Sequence, residues 1–317
     1  MNHRTPEHGD LSPLFRFDLW PGVRFDAGMR LLDSLTLLFL AAIWGASFLF
    51  MRVASPEFGP IPLVLVRVGV AMLCLLPFVL SKSNRGYLRS HARPLFLVGM
   101  LNSALPFCLF NFASLSLEAG FTSLLNATTP LFTALIGWFW WKQPLRVAQR
   151  CGLLLGVVGV AILAGDKLSF KAGGTGWAVL AGLAGATCYG IILHITRRDL
   201  ADVPAPVSAG GGLIWATMVI APFAIPMWPD VPLSITAWGC ALGLALLSSA
   251  LAYVLLFWLI ARVGATSTAT VTFIIPVFAI FWGWLFLGEQ LTVRVLLGMV
   301  LTFMGTGFVT RVFSRDT

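Results

Sequence analysis

Residues 103–138 read SALPFCLFNFASLSLEAGFTSLLNATTPLFTALIGW, and residues 249–284 read SALAYVLLFWLIARVGATSTATVTFIIPVFAIFWGW. Displaced by 146 positions, the two stretches align without a gap. Ser103, Ala104 and Leu105 meet Ser249, Ala250 and Leu251; Pro130 meets Pro276, Phe132 meets Phe278, and Gly137 and Trp138 meet Gly283 and Trp284. The register continues through Leu145 with Leu291, Gly152 with Gly298 and Gly159 with Gly305. Upstream, at a displacement of 145, Trp44 and Gly45 meet Tyr189 and Gly190, and Arg52 meets Arg197. Apolar stretches match easily by chance, so the weight rests on the Gly, Pro, Trp and Arg pairs. The chain reads as a duplication, and a duplication dictates the architecture.

The surrounding composition is that of a membrane protein. Of 317 residues, 58% are hydrophobic and only 11% charged, with a mean hydropathy of +0.89. Soluble domains carry roughly 25% charged residues, so a water-facing globule and a disordered chain are both excluded. Ten apolar runs follow one another at about 34–54, 60–80, 94–115, 119–141, 147–165, 174–196, 206–228, 234–260, 264–287 and 292–312. Each is long enough to cross a bilayer, and short turns rich in Pro, Gly and Ser join them. The halves, 34–165 and 174–312, hold five runs each. Five is odd, so the second half starts on the opposite face and the two halves are inverted. Inverted units packed around a shared site rock to expose it to each side in turn. The expected fold is an all-α membrane protein of ten transmembrane helices, built as two inverted five-helix repeats.

Residues 1–33 are polar and lack the apolar core of a signal peptide. They read as a short cytoplasmic extension, with Met29 as an alternative start to Met1. With the N-terminus cytoplasmic, 16 of the 21 Lys and Arg residues fall on the inner side, among them Arg85, Arg89, Arg93, Arg146, Arg150, Arg198 and Arg315. Only Arg52, Lys167, Lys171 and Arg294 fall outside. By the positive-inside rule both termini are expected in the cytoplasm. The formal charge of +8 is then a matter of topology, and no nucleic-acid partner is expected. The five cysteines stand singly in apolar runs with no C-x-x-C pair, so neither a disulfide framework nor a zinc site is indicated.

Ionisable groups within a span suggest function. Arg67 is the clearest, and its repeat position, Gly212 and Leu213, carries no charge. It reads either as an anchor for a substrate carboxylate, which guanidinium grips with two hydrogen bonds, or as a structural arginine. Polar residues also converge on mid-span positions. Asn102 and Ser103 repeat as Ser248 and Ser249, and Asn126 as Thr272. Trp44, Tyr189, Trp215 and Tyr253 add aromatic rings with polar handles. As a set these are either glue between helices or the orienting groups of a pocket. Trp44, Arg67, Asn102, Asn126, Tyr189, Ser249, Tyr253 and Thr272 are the substrate-binding candidates. Pro106, Pro130 and Pro276 interrupt the helices carrying these groups, each freeing a carbonyl one turn earlier. Gly152, Gly156, Gly159, Gly298 and Gly305 form small-residue stripes suited to close packing of the fifth and tenth spans. Arg52 and Arg197 end equivalent helices on opposite faces, as topology anchors or as the lining of two gates. His194 reads as an interfacial histidine rather than a proton relay.

The chain resembles the EamA-type ten-helix branch of the drug/metabolite transporter superfamily over about 34–312. The resemblance is carried by Trp44-Gly45-Ala46-Ser47-Phe48, by Arg67 to Ala71, by Tyr253 to Phe257, and by Gly264-Ala265, Pro276-Val277-Phe278 and Leu287-Gly288-Glu289. Two departures stand out. Trp141-Lys142-Gln143 occupies the place of Leu-Gly-Glu in the first half, so that turn is expected to differ between halves. Tyr189 stands where the family often has Trp. The resemblance implies transport of small polar metabolites, amino acids and related compounds, with export the expected direction and a bacterial inner membrane the expected location.

No Asp or Glu lies in mid-span, no cluster of metal ligands appears, and there is no Gly-rich nucleotide loop. The expectation is a secondary transporter without cofactor, not an enzyme, embedded in lipid as a monomer or weak homodimer. A membrane channel and a membrane-embedded transferase are the alternatives.

Overall fold

The computed structural model describes residues 30–310. Arg4, Arg16, Arg24, the alternative start Met29, Arg311 and Arg315 lie outside the described residues. Helices dominate, and among the described residues there is no strand. Nine helices there are long and apolar enough to cross a membrane: α1 Leu31–Phe58, α2 Pro60–Val79, α3 Ala92–Ser114, α4 Ala119–Phe139, α5 Val147–Ala164, α6 Gly176–Asp199, α7 Ala205–Ala224, α8 Ile235–Ala265 and α9 Ser267–Leu287. A tenth, α10 Val293–Val309, is one residue short of that length and equally apolar. Each is a helix because hydrocarbon leaves backbone N–H and C=O groups no partner but one another. Leu35, Phe39, Phe223, Trp284 and Leu297 face outward to lipid and are exposed.

The expected spans match these helices closely, with two differences. α1 starts earlier, so Asp33 lies inside it, almost fully buried, and accepts from Arg262 Nε at 2.6 Å. A buried carboxylate needs such a partner. Pro276, in contrast, does not break its helix, which runs unbroken from Val271 to Leu287. The interruption falls at Thr270, while in α4 it falls at Ala127 and Thr128, just before Pro130. Pro130 and Pro276 each cost one backbone bond; in α4 the Thr129 hydroxyl donates to the freed Asn126 carbonyl at 2.7 Å.

The two halves interlock through glycines. Gly45 of α1 lies so close to α9 that an added Cβ would stand 2.6 Å from Phe278 Cβ and 2.9 Å from the Ala279 nitrogen. Its repeat partner Gly190 of α6 meets α4 in the same way, 3.0 Å from the Thr133 nitrogen, and Thr133 is the repeat position of Ala279. α5 and α10 pack along their glycine stripes, with Gly152 against Gly305 and Gly159 against Thr302. α2 packs on α7, and α3 and α8 pack on α7 and α2 respectively.

The turn after α4 corrects an expectation. Gly288 closes α9 in the left-handed region at φ 64°. Lys142 adopts the same conformation, with φ 55°. Gln143 N then donates to Gly137 O at 3.0 Å, and Glu289 N to Gly283 O at 3.2 Å. The sequences differ between the halves, but the backbone turn is one and the same.

The Gly305→Ala substitution should separate α5 from α10, because its Cβ would stand 2.5 Å from the Gly156 nitrogen and 2.6 Å from the Gly152 oxygen. Overpacking of this kind costs about 1–3 kcal/mol, read as a lower melting temperature in detergent. Gly239→Ala, with nothing within 4 Å of its Cβ, should melt no lower than the parent.

Candidate functional site

Faces of the bundle are named from α1: its first residue lies at the near face and its last at the far face. Midway between them, α3 and α8 change from α- to π-helical winding, over Gly99–Ala104 and Gly243–Leu251. These are repeat-related segments. They hold Asn102, Ser103, Ser248 and Ser249. Wider winding turns side chains and carbonyls out of the regular ladder, and such turns recur at functional sites. In α3 the cause is legible, since Pro106 has no N–H to give the Asn102 carbonyl. In α8 Ala252 stands at that position, and nothing in the sequence signals the change.

Arg67 of α2 points into this region and is only 6% exposed. Its Nε donates to Ser249 Oγ at 3.1 Å, Ser249 Oγ donates in turn to Leu244 O at 3.0 Å, and Nη1 lies 4.0 Å from the Met51 sulfur. The guanidinium carbon sits 3.7 Å above the centre of the Phe107 ring, a cation–π contact strengthened by the absence of water. The hydroxyls of Tyr189 and Tyr253 lie within electrostatic reach. Among the described residues no carboxylate pairs with Arg67. In the other half, Gly212 at the repeat position lets α3 come close to α7: a Cβ added to Gly99 would stand 2.6 Å from the Gly212 carbonyl oxygen. Arg67 fills the corresponding space with charge instead.

Around the guanidinium, Asn102 Nδ2 donates to the Tyr253 hydroxyl at 3.4 Å. That bond joins α3 of one half to α8 of the other. Tyr189 stacks on Phe110, ring centres 6.0 Å apart, and Tyr253 on Phe257 at 5.9 Å. Asn102, Tyr189 and Tyr253 are half-buried although they face the bundle interior.

The other candidates are placed differently. Trp44 Nε1 donates to Ser248 O at 3.2 Å, so its polar handle ties α1 to α8. Asn126 is half-buried at the break in α4. Thr272 is exposed and donates to Ala269 O at 2.8 Å within its own helix. Sequence reasoning missed Met51 and Phe107, which hold the arginine, because an apolar residue in an apolar helix carries no signal. His194 is buried, stacks on Trp141 at 4.7 Å and bonds Thr133 O at 2.9 Å, so it serves packing of α6 on α4.

The far face is closed. Glu289, just beyond α9, accepts from Ala119 N at 2.8 Å and Gly120 N at 3.4 Å, capping α4. Burial raises its carboxyl above the ordinary value, against the opposing effect of the two N–H groups. Arg52 Nη1 donates to Ser114 O at 2.7 Å and Leu115 O at 2.8 Å, capping the end of α3. On the near face Gln143 and Arg197, at the repeat positions of Glu289 and Arg52, are exposed. The α9 segment Val271–Leu287 packs on Ala119–Asn126 of α4, while Thr129–Phe139 packs on α6.

A duplicated bundle of apolar helices with a polar centre between its halves, closed on one face, is the architecture of a membrane transporter rather than an enzyme. The family profile agrees: the EamA-like transporter family matches residues 33–165 and again 176–311, and the chain belongs to that family. It is 24% identical over 285 residues to the "Uncharacterized transporter YoaV" of Bacillus subtilis (strain 168), covering 89% of this chain and 97% of that protein. It is 26% identical over 294 residues to the "Probable terminal-alkyne amino-acid exporter" of Streptantibioticus cattleyicolor, covering 89% and 95%. The "Probable amino-acid metabolite efflux pump" of Escherichia coli (strain K12) is 24% identical over 286 residues, covering 86% and 93%. A solved crystal structure superposes with a TM-score of 0.59 at 18% identity, over 89% of this chain and 98% of that one, a likeness of fold.

Trp44→Phe should keep the ring and remove the hydrogen bond to Ser248 O. Losing one buried hydrogen bond costs about 0.5–1.5 kcal/mol, and the melting temperature in detergent should fall accordingly.

Proposed function

We propose that this chain is a secondary transporter that carries a small carboxylate-bearing metabolite, an amino acid or related compound, outward across the bacterial plasma membrane by alternating access. The observation that carries the reading is Arg67: a buried guanidinium at the junction of the halves, bonded among the described residues only to neutral groups. A cation held out of water without a counter-charge costs several kcal/mol, and a substrate carboxylate offsets that cost. Asn102, Tyr189, Ser249 and Tyr253 complete the binding set, Asn126 and Trp44 border it, and Thr272 sits on the route from the near face. The basic residues gathered on the near face support a cytoplasmic near face with both termini inside. The names of the Streptantibioticus and Escherichia relatives support amino-acid compounds and export. One chain supplies the whole site, which suits a monomer or a weak homodimer in the bilayer.

Counterflow in proteoliposomes tests this. Preloaded amino acids should exchange saturably with external label, and the corresponding amines, lacking the carboxylate, should not compete. Arg67→Gln should lower apparent affinity about tenfold to a hundredfold, the range for a charge-assisted bond. Thermal stabilisation of detergent-purified wild-type protein by the amino acid and not by its amine provides a readout independent of how the variant folds. Equal competition by acid and amine would remove the carboxylate from the reading, and unsaturable flux would replace the carrier with a channel.

A further inference from the structure

Two of the far-face contacts, Glu289 on the start of α4 and Arg52 on the end of α3, map through the repeat onto near-face residues between which no hydrogen bond is described. Glu289 corresponds to Gln143, and the N–H groups it caps, Ala119 and Gly120, correspond to Ala265 and Thr266. Arg52 corresponds to Arg197, and the carbonyls it caps, Ser114 and Leu115, correspond to Ile260 and Ala261.

Local geometry on the near face is already that of the far one. Lys142 is left-handed like Gly288, with φ 55° against 64°. The Gln143 amide oxygen lies against Gly137, 3.0 Å from where a Cβ would stand, just as the Glu289 carboxylate lies against Gly283. Glu118, before the helix start at Ala119, is extended with ψ 152°. Gly264, before Ala265, has a similar ψ of 162° but at φ 80° where Glu118 has −62°, and it breaks the axis so that a new first turn begins there. That turn offers the uncapped N–H groups every helix start presents. Gln143, Arg197 and Ala265 are exposed, and the Arg197 side chain bonds no described residue. Acceptor, donor and both helix ends are therefore formed and waiting.

We infer that Gln143 and Arg197 are the latch of the second transport state: Gln143 caps the N–H groups of Ala265 and Thr266 and Arg197 caps the carbonyls of Ile260 and Ala261 when the near face closes and the Glu289 and Arg52 contacts open. This rests on the alternating-access reading. It also makes the two latches unequal in strength. The far latch uses a carboxylate and the near latch an amide. A charge-assisted bond is roughly twice as strong as a neutral one, which favours the state closed at the far face.

Double electron–electron resonance on full-length protein, its five native cysteines replaced, separates the possibilities. One label pair, Arg146 with Ala269, reports the near face; a second, Ser116 with Gln290, reports the far face, and none of the four residues belongs to either latch. The parent should show a long near-face and a short far-face distance. Glu289→Gln should weaken the far latch and Gln143→Glu should strengthen the near one, each raising the near-closed population about tenfold. Gln143→Leu, which keeps bulk but no acceptor, should remove that population, and Arg197→Gln should reduce it. If the near face closes as readily in Gln143→Leu as in the parent, the latch assignment is overturned while alternating access stands. If no variant and no amino-acid load ever shortens the near-face distance, both the latch and the alternating-access reading fail.

Discussion

The constraint on which the structure depends is the approach of backbone to backbone where the halves meet. Inside a bilayer there is little hydrophobic gain from bringing two helices together, because lipid is as apolar as a neighbouring helix. What remains is close van der Waals contact, and Gly45 and Gly190 allow it at two of the crossings that join one repeat to the other. α1 of the first half thereby holds α9 of the second, and α6 of the second holds α4 of the first. Each half is built into its twin, and the polar centre lies between α2, α3, α6 and α8.

Those crossings leave the centre as the place where the duplication is broken. Through most of the bundle the repeat positions do the same thing: glycine on glycine in α5 and α10, π-turn with π-turn in α3 and α8, left-handed Lys142 with left-handed Gly288. Arg67 has no counterpart. Its guanidinium, laid over Phe107 and tied to Ser249, is a buried positive charge with neutral company. A protein stable enough to hold such a charge without a fixed carboxylate can exchange counter-ions there, which a permanently paired arginine cannot do.

The same duplication relates the two ends of the molecule. On the alternating-access reading proposed above, a far face sealed by helix caps and a near face without them are two settings of one mechanism, because each cap is a few directional hydrogen bonds that are made or lost as a unit. Glycines hold the crossings at close approach, while the breaks at Ala127–Thr128 and Thr270 divide α4 and α9 into two segments each. Polar groups at those breaks keep freed carbonyls satisfied, as Thr129 does for Asn126.

Much of this was legible in the residues alone. Ten apolar runs, their turns, the displacement of 146 and the odd number of spans per half dictate the helices and their inversion, since hydropathy and periodicity are local properties. The glycine stripes announced the α5–α10 contact for the same reason. The candidate site was legible only as a set of polar residues. That Arg67, Asn102, Ser249 and Tyr253 converge, that Thr272 spends its hydroxyl on its own helix, and that Trp44 bridges α1 to α8 depend on helix rotation and winding. Met51 and Phe107 were invisible, because their role comes from the cation they face and not from their own chemistry. So was the identity of the two turns at Gln143 and Glu289, where unlike sequences share one backbone. Hydrophobicity and chain length determined how many helices there are and which way each runs; only packing, through contacts between residues more than a hundred positions apart, decided which side chains meet and which face of the protein is closed.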